Sequence, residues 1–190
     1  MSMRTADPDG GPPVTRVPPL PGEQWDEEVD AALKGMLPRA LRNPEGAGNA
    51  LGTLIRHPEL TKSFLGFNVH LLFRSTLPPR LRELAILRVA RRRNCDYEWL
   101  HHALVAAQEG VTEAEIQAAG EGEADGEPER AVLRAVDELD GDSHLSDSTW
   151  AVLSEHLDER QRMDLIFTVG AYVTLCMAFN TFGVRPEHER

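Results

Sequence analysis

Cysteine is scarce in this sequence, with two in 190 residues, and aromatic residues make up only 6%. Positive charge is also short: 20 lysines and arginines stand against 31 aspartates and glutamates, a formal net charge of −11. Each shortage excludes something. Two cysteines, Cys95 and Cys176, cannot build the disulfide framework of a small secreted scaffold. No apolar stretch near the start follows a basic region as a secretory signal does, so a cytoplasmic setting with reduced thiols is expected. The acidic balance leaves no basic face for a phosphate backbone, although Arg88, Arg91, Arg92 and Arg93 cluster locally. Neither nucleic acid nor an anionic membrane is an expected partner. Strand-like alternation of useful length is missing, as is any repeat period. The one long apolar run, Leu165 to Phe182, is interrupted by Thr168, Gly170, Thr174 and Asn180, and reads as a buried core or interface helix rather than a membrane span.

What is present is helical. Residues 1–22, rich in Pro, Gly and Asp, are expected to form a flexible arm, and residues 23–190 a single helical domain long enough to bury a core without staples. Trp25, Val29, Ala32, Leu33 and Met36 recur at helical spacing before Pro38, and a short helix around Ala50 to Ile55 stops at His57-Pro58. A longer helix is expected over about 59–73. Pro78-Pro79 opens a helix reaching about Arg93, and Asp96 opens another that Gly110 closes. Thr112 and Glu115 form a capping box for a short helix ending near Gly120. After an acidic, glycine-rich loop, three more helices are expected over about 128–139, 146–157 and 159–182. The fold class is therefore all-α, with about eight or nine helices.

The chemistry-bearing residues concentrate in Cys95-Asp96-Tyr97-Glu98-Trp99-Leu100-His101-His102 and in the helix before it. Glu83 falls among Ile86, Leu87 and Ala90 on an apolar stripe. Desolvating an unpaired carboxylate costs several kcal/mol, so Glu83 calls either for an arginine partner or for a role in a site. Glu98 and His102 lie four residues apart and share a face. Helical projection puts that face outward, opposite Trp99, Ala103, Ala106 and Ala107. It reads as a solvated pair, or as a site if another helix or subunit covers it, and Val105 at its centre hints at such a cover. Cys95 sits at a helix start, where the dipole favours a thiolate but Asp96 and Glu98 oppose it, so it is a reactive thiol or a packed junction residue. Cys176 reads as an inert core residue. His70 is a satisfied core histidine or a pocket wall. His101 is a second imidazole or an exposed neighbour, and Tyr97 could donate to a developing oxyanion. A metal held by Glu98, His102 and a further histidine is a weak alternative, and no metal site is assigned.

Three stretches together resemble the carboxymuconolactone decarboxylase family, which includes the alkylhydroperoxidase D proteins. They are Arg80-x-Arg82-Glu83-Leu84-Ala85-Ile86-Leu87, Cys95-x-x-Glu98-x-x-x-His102, and Gly110-Val111-Thr112-x-x-Glu115-Ile116. The resemblance implies an all-helical homo-oligomer, a dimer, trimer or hexamer, with pockets near subunit contacts. By position it matches Glu83, Cys95 and His102 to the family's glutamate, first cysteine and histidine; with Glu98 these are the catalytic candidates, and His70, Tyr97 and His101, singled out above, are the substrate-binding candidates. In the alkylhydroperoxidase branch a glutamate, two cysteines and a histidine form a proton relay around a peroxidatic thiol. Here Glu98 stands where the second cysteine would be, which excludes a disulfide within the motif. In the decarboxylase branch no metal or organic cofactor is needed. The leading expectation is acid–base chemistry on a small organic acid or lactone. A one-cysteine peroxidase using Cys95, and a non-catalytic binding or assembly protein, are the alternatives.

Overall fold

The computed structural model describes residues 14–187 and, among them, contains nine α-helices and no strand. They are α1 (Glu27–Leu33), α2 (Pro44–Leu54), α3 (Pro58–Phe73), α4 (Pro79–Arg92), α5 (Asp96–Gln108), α6 (Glu113–Glu121), α7 (Glu127–Asp142), α8 (Asp147–His156) and α9 (Glu159–Phe182). The described residues form two compact units: residues 75–178, and residues 14–74 together with 179–187.

In the second of these, α1 packs against α3. Asp26 caps α1 by accepting the Glu28 and Val29 N–H groups at 3.0 Å each. Val29, Leu33, Ala47, Ile55 and Leu65 close its core. Residues 1–13 of the arm expected over 1–22 lie outside the described residues. Residues 14–22 run alongside this unit, with the Arg16 and Leu20 N–H groups donating to the carbonyls of Phe182 and Gly52.

In the unit 75–178, α4 is the central element and packs on α5, α6 and α7. Nine of its side chains are buried, from Leu81 through Val89 and Ala90. The arginine cluster at its end is neutralised by α7: Arg88 meets Asp137 at 2.7 Å, while Arg92 and Arg93 meet Asp140 at 2.8 and 2.6 Å. These arginines are therefore fastened to the fold.

The corner between α4 and α5 fixes the candidate site. Asn94 adopts φ 49°, the left-handed conformation that ends helices. The Cys95 N–H donates to the Ala90 carbonyl at 2.9 Å and the Asn94 N–H to Arg91 at 3.2 Å, the paired bonds of a Schellman motif. Cys95 is thus locked to the end of α4 while occupying the N-cap position of α5. Gly110 at φ 80° closes α5, and Thr112 with Glu115 forms the capping box of α6, both where the sequence placed them.

Helix α9 is long and apolar enough, by length and composition alone, to cross a membrane. Its buried side chains include Leu165, Thr168, Val169, Ala171, Tyr172, Leu175 and Cys176. Asp164 near its start accepts the backbone N–H of Thr76 at 2.6 Å and the Thr76 hydroxyl at 2.8 Å.

Candidate active site

Glu83 projects from the middle of α4 with no solvent exposure. Burial raises the pKa of a carboxyl, yet the hydrogen bond and charge of His102, together with Arg82, outweigh it and hold Glu83 below its ordinary range. Its two oxygens are divided. Oε1 accepts from Arg82 Nε at 2.9 Å, and Oε2 lies 2.6 Å from His102 Nδ1. Glu83 therefore has an arginine partner and also faces the histidine of the motif.

His102 Nε2 lies 3.3 Å from Glu98 Oε2, so a carboxylate faces each ring nitrogen. Burial alone would push this imidazole down, but hydrogen bonds to Glu83 and Glu98 and their charges raise it to about 9. At neutral pH His102 is an imidazolium. Tyr172 of α9 meets its ring edge-on, with centroids 4.9 Å apart. Burial first, and then the charges of Glu98 and Glu83, push the Tyr172 phenol well up, so it stays protonated.

The outward projection of Glu98 and His102 is corrected by this geometry: each is only 4% exposed. The buried arc of α5 runs through Cys95, Glu98, Trp99, His102 and Ala106, whereas Ala107 is exposed and Ala103 half-buried. The arc is rotated toward the polar residues because Glu83 and Tyr172 offer them partners inside. Leucines take the outer face instead, with Leu104 67% exposed.

Cys95 is buried, and so is Cys176 on α9. The expectation that Cys176 is buried holds, but its surroundings are not purely apolar, because its thiol is hydrogen-bonded to Cys95. That bond, burial, and the neighbouring charges of Cys95 and Glu98 push the Cys176 thiol far up. Cys176 keeps its proton.

Of the remaining candidates, His101 borders this cluster and Tyr97 lies against His101. Tyr97 stacks on His101 at 6.0 Å, and His101 meets His102 edge-on at 5.8 Å, with His101 itself exposed. His70 is exposed on α3, in the other compact unit. Tyr172 and Cys176 were not singled out as site residues from sequence. The available signal was a four-residue ladder of polar groups, Asp164, Thr168, Tyr172 and Cys176, along an otherwise apolar helix. Among the described residues, no group of three or more His, Cys, Asp or Glu is arranged to hold a metal. A cavity of about 530 Å³ lies beside Leu84, with Arg80 set between Glu115 and Glu129, but none of Glu83, Cys95, Glu98 or His102 lines it.

Residues 58–138 match the carboxymuconolactone decarboxylase family. No curated protein matches the sequence. Among solved structures, an alkylhydroperoxidase AhpD core protein, peroxidase-related, from Ralstonia eutropha JMP134 is 17% identical with a TM-score of 0.70, covering 91% of this chain and 94% of that one. A peroxidase-related protein from Silicibacter sp. TM1040 is 17% identical with a TM-score of 0.65, covering 100% and 92%. The debrominase Bmp8 is 19% identical with a TM-score of 0.61, covering 92% and 93%. These likenesses show an AhpD-like fold, and Glu83, Cys95, Glu98 and His102 all lie inside residues 58–138, the segment that matches the carboxymuconolactone decarboxylase family.

Proposed function

We propose that this chain is an enzyme whose reaction turns on proton transfer at His102, acting on a small organic acid or lactone by decarboxylation, isomerisation or a related step. The carrying observation is the buried His102 imidazole held between Glu83 at 2.6 Å and Glu98 at 3.3 Å, two carboxylates that favour its protonated form. A protonated imidazole is a general acid without further activation. The short bond to Glu83 orients the ring, and the longer one to Glu98 is the one a substrate displaces to receive a proton on a developing carbanion or enolate. Arg82 balances the Glu83 carboxylate at its other oxygen. The test is a panel of small keto acids and lactones followed by carbon dioxide release and absorbance change, then repeated with His102→Gln. Full turnover by that variant on a substrate the parent processes would sink the reading.

A second reading is thiol chemistry at Cys95, favoured by its position one turn before Glu98 and its contact with Cys176. A cysteine-to-alanine variant of the debrominase Bmp8 has been solved with 2,3,4-tribromopyrrole, at 19% identity and a TM-score of 0.58 to this chain. Here Cys95 Sγ would attack an electrophilic atom of the substrate, with the buried acid–base groups supplying the leaving group's proton. Exposure to hydrogen peroxide followed by intact mass tests it, and an unmodified Cys95 would exclude it.

Self-association is the proposed use of the exposed apolar side chains Leu100 and Leu104 on α5 and Met163, Phe167 and Met177 on α9.

A further inference from the structure

The motif that holds Cys95 has no second cysteine, yet Cys95 does have a thiol partner. It comes from 81 positions further along the chain, on α9, within the same compact unit. Cys95 and Cys176 are 1% and 0% exposed, so neither is placed to meet an external protein thiol, whereas each meets the other directly. The Schellman corner at Asn94 and the N-cap position hold the Cys95 backbone from two sides. On α9, Cys176 lies one turn beyond Tyr172, the residue packed on His102. The two sulfurs therefore belong to the same buried cluster as the acid–base groups.

We propose that Cys95 and Cys176 are a redox-active dithiol that closes an intramolecular disulfide between the start of α5 and α9, with Cys176 as the resolving thiol. The inference rests on the thiol reading of Cys95 and alters its one-cysteine form. With a hydroperoxide as oxidant, Cys95 Sγ attacks the terminal oxygen and the O–O bond breaks. The alkoxide leaves with the thiol proton as an alcohol, and Cys95 becomes a sulfenic acid. Cys176 Sγ then attacks Cys95 Sγ, the S–O bond breaks as the S–S bond forms, and hydroxide departs with the Cys176 proton as water. Both thiols together lose two electrons and two hydrogens, and the hydroperoxide is reduced to alcohol and water. The assignment of roles follows from placement: Cys95 stands at the N-cap of α5, one turn before Glu98, whereas Cys176 lies inside α9. Glu98, where a local resolving cysteine would sit, is thereby left to acid–base work.

The experiment treats the full-length, folded protein with hydrogen peroxide and, separately, with diamide, then reads free thiols, intact mass and a non-reducing peptide map. The expected result is simultaneous loss of both thiols, a mass lower by two hydrogens, one cross-linked pair of peptides containing Cys95 and Cys176, and full reversal by dithiothreitol. In Cys176→Ser and Cys176→Ala, Cys95 is expected to accumulate a sulfenic acid that dimedone traps. Closure by diamide alone would uphold the dithiol while removing hydroperoxide as its oxidant. Added oxygen on Cys95 of the parent protein with Cys176 still a free thiol would overturn the pairing and leave the thiol reading standing. Failure of both reagents to join the two cysteines in the folded chain would overturn the proposal outright.

Discussion

Glu83 illustrates how much one side chain sets at this site. Its carboxylate serves Arg82 through one oxygen and His102 through the other, so its removal strands two cations in a buried environment. Breaking a buried ion pair by deleting one partner costs about 3–5 kcal/mol, and Glu83→Ala is expected to fall in that range by urea denaturation. Glu83→Gln is the more informative change, because it keeps a hydrogen-bonding group and removes only the charge. His102 would then retain its full desolvation and lose its shortest carboxylate contact, so its pKa should fall from about 9. Titration of the His102 ring protons by NMR checks this, and an unchanged titration would show that Glu98 alone holds the proton. The loneliness of Glu83 in an apolar stripe made it legible from sequence. Its partnership with the adjacent Arg82 was not, because neighbours in a helix point about 100° apart and meet only when packing bends their ends together.

At the scale of elements, helix starts and stops were readable because their signals are local: Pro79, Gly110, and the Thr112 and Glu115 capping box each act within a few residues. The face that α5 buries was not readable, since it depends on what α4 and α9 present to it. A projection that sends charge outward fails where a buried glutamate and tyrosine wait inside, and Cys176 escaped notice for the same reason of long-range contact. The packing of α6 on α5 gives a sharp test. A Cβ on Gly120 would stand 2.8 Å from Trp99 Cη2 and 3.0 Å from Arg91 Nε, and Arg91 itself covers the Trp99 ring at 4.5 Å. Alanine gains about 1 kcal/mol of helix propensity over glycine. Overpacking typically costs about 1–3 kcal/mol, and a rigid indole edge gives way poorly, so Gly120→Ala should be net destabilising in chemical denaturation. On α9 the exposed residues Met163, Phe167, Gly170, Thr174 and Met177 recur at alternating spacings of four and three. That period suits pairing with another helix. Phe167→Glu is expected to lower the molar mass seen by sedimentation equilibrium if this stripe carries the self-association.

For the molecule as a whole, the buried cluster imposes a defined dependence of stability on pH. His102 binds its proton more tightly when folded, at about 9 against an ordinary 6.5. Its contribution is therefore complete below about 6.5 and is lost as pH rises through about 9, a swing on the order of 3 kcal/mol. Glu83, Glu115, Glu127 and Glu138 are shifted the other way, below 4.5, and Glu115 reaches about 2 through its bonds to Arg80 and Thr112. Their contributions are present above about 4.5 and disappear as pH falls through the folded values. Stability should therefore peak between about 4.5 and 6.5. On the alkaline side, the acidic excess of the chain adds self-repulsion, and above about 9 the buried Cys176 and Tyr172, both pushed up, oppose folding further. These effects share a sign with the His102 term, so the parent protein alone does not separate them. His102→Gln does: urea unfolding between pH 6.5 and 9 should lose most of its slope in this variant, while the acid limb set by Glu115, Glu127 and Glu138 stays. A variant that keeps the parent's full alkaline slope would mean that His102 is not held as an imidazolium, and the proton-transfer reading would lose its acid.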